Sequence, residues 1–181
     1  MQQAARKGAI DLLYFDESGF SCLPNVQRSW SLRGKPHTAD ATGSRRRANV
    51  LGALNYATQH LHFQVCDHSV CRDDVIAFLD RTAQACDGDK FTFVVLDNAS
   101  THHHIEQEII DRWLIVHRFV PLYLPPYSPE LNLIEILWKH AKYHWRGLTS
   151  WTRDNLISEV TTLLAGFGNK FHISYTLILR S

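Results

Sequence analysis

No apolar run in this chain of 181 residues approaches the roughly 20 residues that a membrane-spanning helix needs, so no role built on such a helix is expected. The N-terminus, MQQAARKGAI, carries some positive charge but no apolar signal segment, so a cytosolic location is expected. Cys22, Cys66, Cys71 and Cys86 form no C-x-x-C pair and fall in or beside apolar runs. Reduced, mostly buried thiols are therefore expected rather than disulfides or a zinc centre. Internal repeats and low-complexity tracts are also missing. What is present is 45% apolar and 20% charged, enough to bury one sizeable core. One domain over residues 10–168, with tails at 1–9 and 169–181, is the expected organisation.

The net charge of +1 conceals an uneven distribution. Residues 28–47 carry Arg28, Arg33, Lys35, Arg45, Arg46 and Arg47 against the single acid Asp40, and residues 139–153 carry Lys139, Lys142, Arg146 and Arg153 against none. Between them, residues 67–111 hold ten acids and three bases. Overall charge does not mark a nucleic-acid binder, yet either basic segment could follow a phosphate backbone or simply be a solvated face.

Along the chain, Ile10–Phe15 is a short apolar run that stops at Asp16, the pattern of a buried strand ending in a carboxylate. Arg28–Ser31 reads as a short strand leading to a basic turn, and residues 37–47 as a polar, mobile loop. Ala48–Tyr56 and Leu61–Cys66 extend the first strand into an antiparallel meander. Arg72–Asp87 has helical periodicity and Gly88 stops it. Phe91–Leu96 is a buried strand ending at Asp97. A helix over 102–113, a strand at Phe119–Leu124 and a last helix over Arg153–Leu164 complete the pattern, while the apolar run Ile173–Leu179 finds no place in it. The sum is an α/β chain: three antiparallel strands followed by two parallel ones, with helices on both faces.

The most rigid stretch is Phe119–Lys142, FVPLYLPPYSPELNLIEILWKHAK. Pro125 and Pro126 end the strand, since proline lacks the N–H and restricts its predecessor. Pro129 suits a helix start with Ser128 as N-cap, predicting a helix over 130–146. Leu131, Ile134, Leu137 and Trp138 recur at helical spacing toward a core, and Glu135 falls on another face. Each acid alone has a plain explanation: Asp16 or Asp97 as a turn residue, Glu135 paired with Lys139, Asn98 and Ser100 as helix caps. Three acids at three strand–helix junctions suggest more. Gathered carboxylates repel unless cations neutralise them, and hard oxygen ligands suit magnesium or manganese, which bind phosphate oxygens. Two such ions can serve phosphodiester cleavage or transfer.

Asp16-Glu17-Ser18-Gly19-Phe20, Asp97-Asn98-Ala99-Ser100-Thr101-His102 and the block from Leu124 to Glu135 with Trp138 resemble, in order, the three signature blocks of the DDE transposases. The likeness is greatest to the mariner-like superfamily and its bacterial insertion-sequence relatives, and Trp30–Gly34 resembles their second, basic segment. The resemblance implies an RNase H-like fold, two Mg2+ or Mn2+ ions held by Asp16, Asp97 and Glu135, and cut-and-paste DNA transposition. It implies Asn98 and His102 beside the metals, and Arg33, Lys35, Arg45, Arg46, Arg47, Lys139 and Lys142 on DNA. Its partners would be transposon ends and target DNA, probed by a homodimer, with the protein nucleoid-associated when bound.

Two departures accompany the likeness. Leu133 stands where relatives commonly have proline. Only nine residues precede the first strand, so the family's N-terminal helix-turn-helix is expected to be absent. A metal-dependent nuclease acting on RNA or hybrids, and an inactive remnant that only binds DNA, remain open alternatives. His102–His104, three in a row at a helix start, cannot all face one metal.

Overall fold

The computed structural model describes residues 1–25, 32–35, 46–86, 88–99, 105–126, 128–146 and 149–174. A short helix, α1 (Gln2–Arg6), precedes strand β1 (Asp11–Ser21), which is followed by β2 (Arg47–Asn55), β3 (Leu61–Cys66), helix α2 (Arg72–Ala85), β4 (Thr92–Leu96), α3 (Gln107–His117) and β5 (Phe119–Tyr123). A 3₁₀ turn (Pro129–Leu131), α4 (Ile134–His140), a π-helical turn (Ala141–Trp145) and α5 (Leu156–Ala165) complete the order. The sheet runs β3-β2-β1-β4-β5. β1, β2 and β3 pair antiparallel, and β4 and β5 add in parallel, as the patterning predicts. Among the described residues, no helix is long and apolar enough to cross a membrane.

Alternation along β1 divides the core in two. Leu13 and Phe15 pack with Val75, Phe78 and Leu79 of α2 and Trp113 of α3. Leu12, Tyr14 and Phe20 pack with Ile134, Leu137 and Trp138 of α4 and Leu156 and Val160 of α5. Side chains two apart on a strand share a face, so Asp16 belongs with Tyr14 on the α4 side.

Several expectations change in detail. β1 does not stop at Asp16 but continues to Ser21, because β2 pairs with it from Leu13 through Ser21. What ends near Asp16 is the pairing with β4, whose last partners are Tyr14 and Val95. The continuous helix expected over 130–146 is three pieces. A 3₁₀ turn spans Pro129–Leu131, α4 begins at Ile134, and the chain widens into a π turn closed by Arg146 N–H on the Ala141 carbonyl at 3.3 Å. Ser128 caps through its carbonyl, which accepts the Leu131 N–H at 3.2 Å, and Leu131 is exposed rather than in the core. The helix expected over 102–113 occupies Gln107–His117. The N-terminal stretch expected as a tail contains α1, which buries Ala5 and brings Gln2 Nε2 within 3.1 Å of the Tyr14 hydroxyl. Cys22 and Cys66 are buried, Cys86 is half-buried and Cys71 is exposed; all four are free thiols. The short strand at Arg28–Ser31, most of the loop 37–47 and residues 175–181 lie outside the described residues.

Candidate active site

Strand register sets the first two acids. β1 and β4 pair with a constant offset, Asp11 with Thr92 through Tyr14 with Val95, an offset of 92 − 11 = 81. Carried two residues past the last pair, the same offset matches Asp16 with Asp97 (16 + 81 = 97). Residues at one level of neighbouring parallel strands project to one face, and Val95, two before Asp97, lies in the α4-side core. Asp16 leaves the sheet on the α4 side, where β1 continues alone beside β2, and Asp97 is the first residue after β4, two beyond Val95 on that side. Asp16 is only 9% exposed; Asp97 is half-buried. Asp97 Oδ1 accepts the Ala99 N–H at 3.0 Å, shaping the turn out of β4.

The third acid arrives on α4. Ile134, Leu137 and Trp138 are buried and hold the helix to the sheet, leaving Glu135 exposed in its first turn. Its seat depends on Gly52, the β2 residue paired with Asp16. A Cβ at Gly52 would stand 2.7 Å from Trp138 Cη2 and Cζ2, so only glycine lets the indole lie against the sheet there. Just before the helix, Asn132 is 2% exposed and its Nδ2 donates to the Phe15 carbonyl at 2.8 Å. Its own carbonyl accepts the Glu135 N–H at 3.1 Å.

Lys142 follows Glu135 by seven residues, about two turns, and so returns to the same side of the helix. Its Nζ lies 5.6 Å from the ring centroid of Phe20 on β1. Burial lowers the pKa of this ammonium; Glu135 and Asp16 pull it back up, and Arg47 pushes it down. One half-buried cation thus senses the strand-borne and the helix-borne carboxylate together.

Beside Asp97, a cavity of about 370 Å³ is lined by Asp97, Asn98, Leu124, Pro125, Pro126 and Ser128. Asn98 Nδ2 donates to the Leu124 carbonyl and ties the two strand ends together. Of the basic residues, Arg33, Lys35, Arg47 and Lys139 are exposed and Arg46 is half-buried. Arg146 turns inward instead. It is buried, lies 3.6 Å over the Trp151 ring and donates to the carbonyls of Ser21 and Thr149, at 2.8 and 3.2 Å, and of Cys22; burial pushes its pKa down to about 10. His102 and Arg45 lie outside the described residues.

Among the described residues, no three His, Cys, Asp or Glu side chains stand close enough together to hold one metal ion. The donor types still fit magnesium or manganese: Asp16, Asp97 and Glu135 offer hard carboxylate oxygens, and Asp97 borders a cavity with room for water and phosphate. A pair of ions divides its carboxylate ligands between them, so the fit does not require all three acids on one centre. Sequence reasoning did not single out Asn132 and Gly52, which set where α4 lies. Their signals, a polar residue between apolar ones and a glycine inside a strand, point to a close approach only once the partner is known.

Residues 11–157 match the sequence profile of the DDE superfamily endonucleases. Among curated protein sequences, none matches the chain. In structure it is similar to the Mos1 transposase in its paired-end complex with the left transposon end, with a TM-score of 0.62 and 15% identity over 91% of this chain and 55% of that one. The Mos1 mariner paired-end complex with Mn gives 0.61 and 16% identity, covering 94% of this chain and 54% of that one. A simian T-cell lymphotropic virus intasome gives 0.53 and 11%, covering 91% and 50%. The chain spans about half the length of these proteins. At such identities the likeness is one of fold, and that fold is the RNase H-like mixed sheet. The profile covers most of the chain: it belongs to the DDE superfamily of endonucleases, built on the fold of a mariner-type transposase.

Proposed function

We propose that this chain is the catalytic domain of a transposase that cuts DNA and joins the freed end to a target, with Asp16, Asp97 and Glu135 holding two divalent metal ions. The observation that supports the reading is the β1–β4 register, whose last pair, Tyr14 with Val95, stands two residues before Asp16 and Asp97 on the side of the sheet that α4 covers. Magnesium or manganese, when bound there, supplies charge neutralisation to the phosphate oxygens and polarises the attacking oxygen. In cleavage, a water oxygen bonds to phosphorus and the 3′ oxygen leaves as a hydroxyl. In transfer, that hydroxyl oxygen bonds to a target phosphorus and the target's own 3′ oxygen leaves.

The chain's part is to position and neutralise rather than to supply a nucleophile. The two strand acids come from a rigid sheet, the third from a helix whose seat is fixed by packing. Asn98 holds the Asp97 turn against Leu124. Exposed Arg33, Lys35, Arg47 and Lys139, with Arg46 and Lys142, would contact phosphates of the transposon ends and the target. Joining two ends at one target calls for a homodimer.

The test is nicking of duplex DNA in magnesium and in manganese, with an RNA–DNA hybrid alongside. Loss of nicking in Asp97→Asn and Glu135→Gln, with circular dichroism unchanged, is expected. Nicking that survives both substitutions overturns the assignment. Preference for the hybrid would point to a nuclease of the same fold, and DNA binding with no cleavage in either metal to an inactive remnant.

A further inference from the structure

Asn132 joins the backbones of two of the acid-bearing residues. Its side-chain Nδ2 donates to the Phe15 carbonyl, which belongs to the peptide leading into Asp16, at 2.8 Å and across 117 residues of sequence. Its main-chain carbonyl accepts the N–H of Glu135 at 3.1 Å. The contact falls just beyond the last β1–β4 pair, where the regular ladder has ended. Phe15 offers only an acceptor there, so the amide nitrogen must face it and the group is not free to flip.

That choice leaves Asn132 Oδ1 buried with no donor among the described residues. A buried, unpaired oxygen is unfavourable, and a side chain serving packing alone at 2% exposure would be apolar. The neighbouring helix positions, Ile134, Leu137 and Trp138, are of that kind. Trp138 against Gly52 sets how closely α4 approaches the sheet, while a directional contact fixes position along β1. The Asn132 hydrogen bond is directional.

We infer that Asn132 is a positioning residue that sets the separation of the Asp16 and Glu135 carboxylates, and through it the affinity for divalent metal. The inference rests on the reading that these two acids hold metal. Removing such a supporting contact is expected to weaken metal binding about 10–100-fold.

The test is calorimetric titration of Mn2+ into the wild type, Asp16→Asn, Asn132→Leu and Asn132→Ser, with thermal melting of each. Serine adds no bulk, so a folding failure of the leucine variant does not leave the question open. The expected result is Mn2+ binding by the wild type, loss in Asp16→Asn, and a folded Asn132 variant with affinity lowered by about 10–100-fold. A purely structural asparagine would lower the melting temperature and leave the affinity of the folded protein at the wild-type value, which overturns the inference while the metal reading stands. Wild-type protein that ignores Mn2+, or Asp16→Asn that binds it normally, removes both.

Discussion

The two faces of the sheet are made by the same strands and do different work. On the α2/α3 side, Leu13, Phe15, Leu51, Ala53, Val94 and Leu96 form an apolar core, and the polar residues buried beside it, Thr82 and Thr92, are uncharged. On the α4/α5 side, the residues in between, Leu12, Tyr14, Asp16, Ser18 and Phe20, pass from core to polar groups along one strand. Phe15 and Asp16 are neighbours in sequence, both buried, and face opposite ways. The difference teaches that the site needs no separate structural unit. One face holds the fold, and the other can carry carboxylates where β4 gives out.

The sharpest way to break this comparison is to substitute those two neighbours. Asp16→Asn is expected to cost about 10³-fold or more in metal-dependent nicking, since several kcal/mol of charge stabilisation is lost at 1.36 kcal/mol per tenfold, with little change in urea midpoint. Phe15→Ala is expected to cost about 3–5 kcal/mol in urea unfolding, the usual penalty for emptying a packed aromatic site. If Phe15→Ala left stability intact, or Asp16→Asn unfolded the protein, the division of labour would be wrong.

Within the α4 side the contrast is between bases that hold the fold and bases that meet solvent. Arg146→Ala removes the guanidinium donor from the carbonyls of Ser21, Cys22 and Thr149, of which Cys22 keeps the Trp151 N–H, and strips the cation from Trp151. A loss of about 3 kcal/mol in chemical unfolding is expected, and Arg146→Lys recovers little because an ammonium cannot reproduce the planar fork. Gly52→Ala drives a Cβ into Trp138 and is expected to cost about 1–3 kcal/mol, partly relieved by Trp138→Phe. Lys139→Gln is expected to leave unfolding unchanged and lower the slope of log affinity against log salt for duplex DNA by about 1.

How much of this was legible beforehand follows the range of the interactions. The strands read correctly because period-two apolar runs and turn residues are local signals: Leu61–Cys66 is found where the pattern placed it, and Thr92–Leu96 within one residue. The apolar run stops at Asp16 and so predicts a strand end there, whereas β2 carries the pairing on to Ser21 through contacts distant in sequence. The broken helix after Pro129 was hidden for the same reason. Asn132 leaves the helical path to reach Phe15, and Arg146 is drawn to carbonyls near Cys22. Basic residues look alike in sequence; only burial separates Arg146 from Lys139.

The smallest expected effect concerns a titrating group on the α2 side. His62 lies on edge strand β3 at a hollow it shares with Phe78, Arg81 and Thr82, and its Nε2 is 3.2 Å from Nδ1 of His60. Burial, first, and the neighbouring imidazole, second, lower its pKa below the ordinary value of 6.5. The unfolded chain therefore binds more protons than the folded one in the window between the ordinary value and the lowered one. Stability from this group is fully present above the ordinary value and is lost as pH falls through that window. The urea midpoint of the wild type is expected to drop slightly between about pH 7.5 and pH 5.5, and that of His62→Gln to drop less. Because Asp16 and Glu135 lie across the sheet, Asp16→Asn is expected to keep the wild-type drop. Equal drops in the wild type and His62→Gln would move the acid sensitivity off this face.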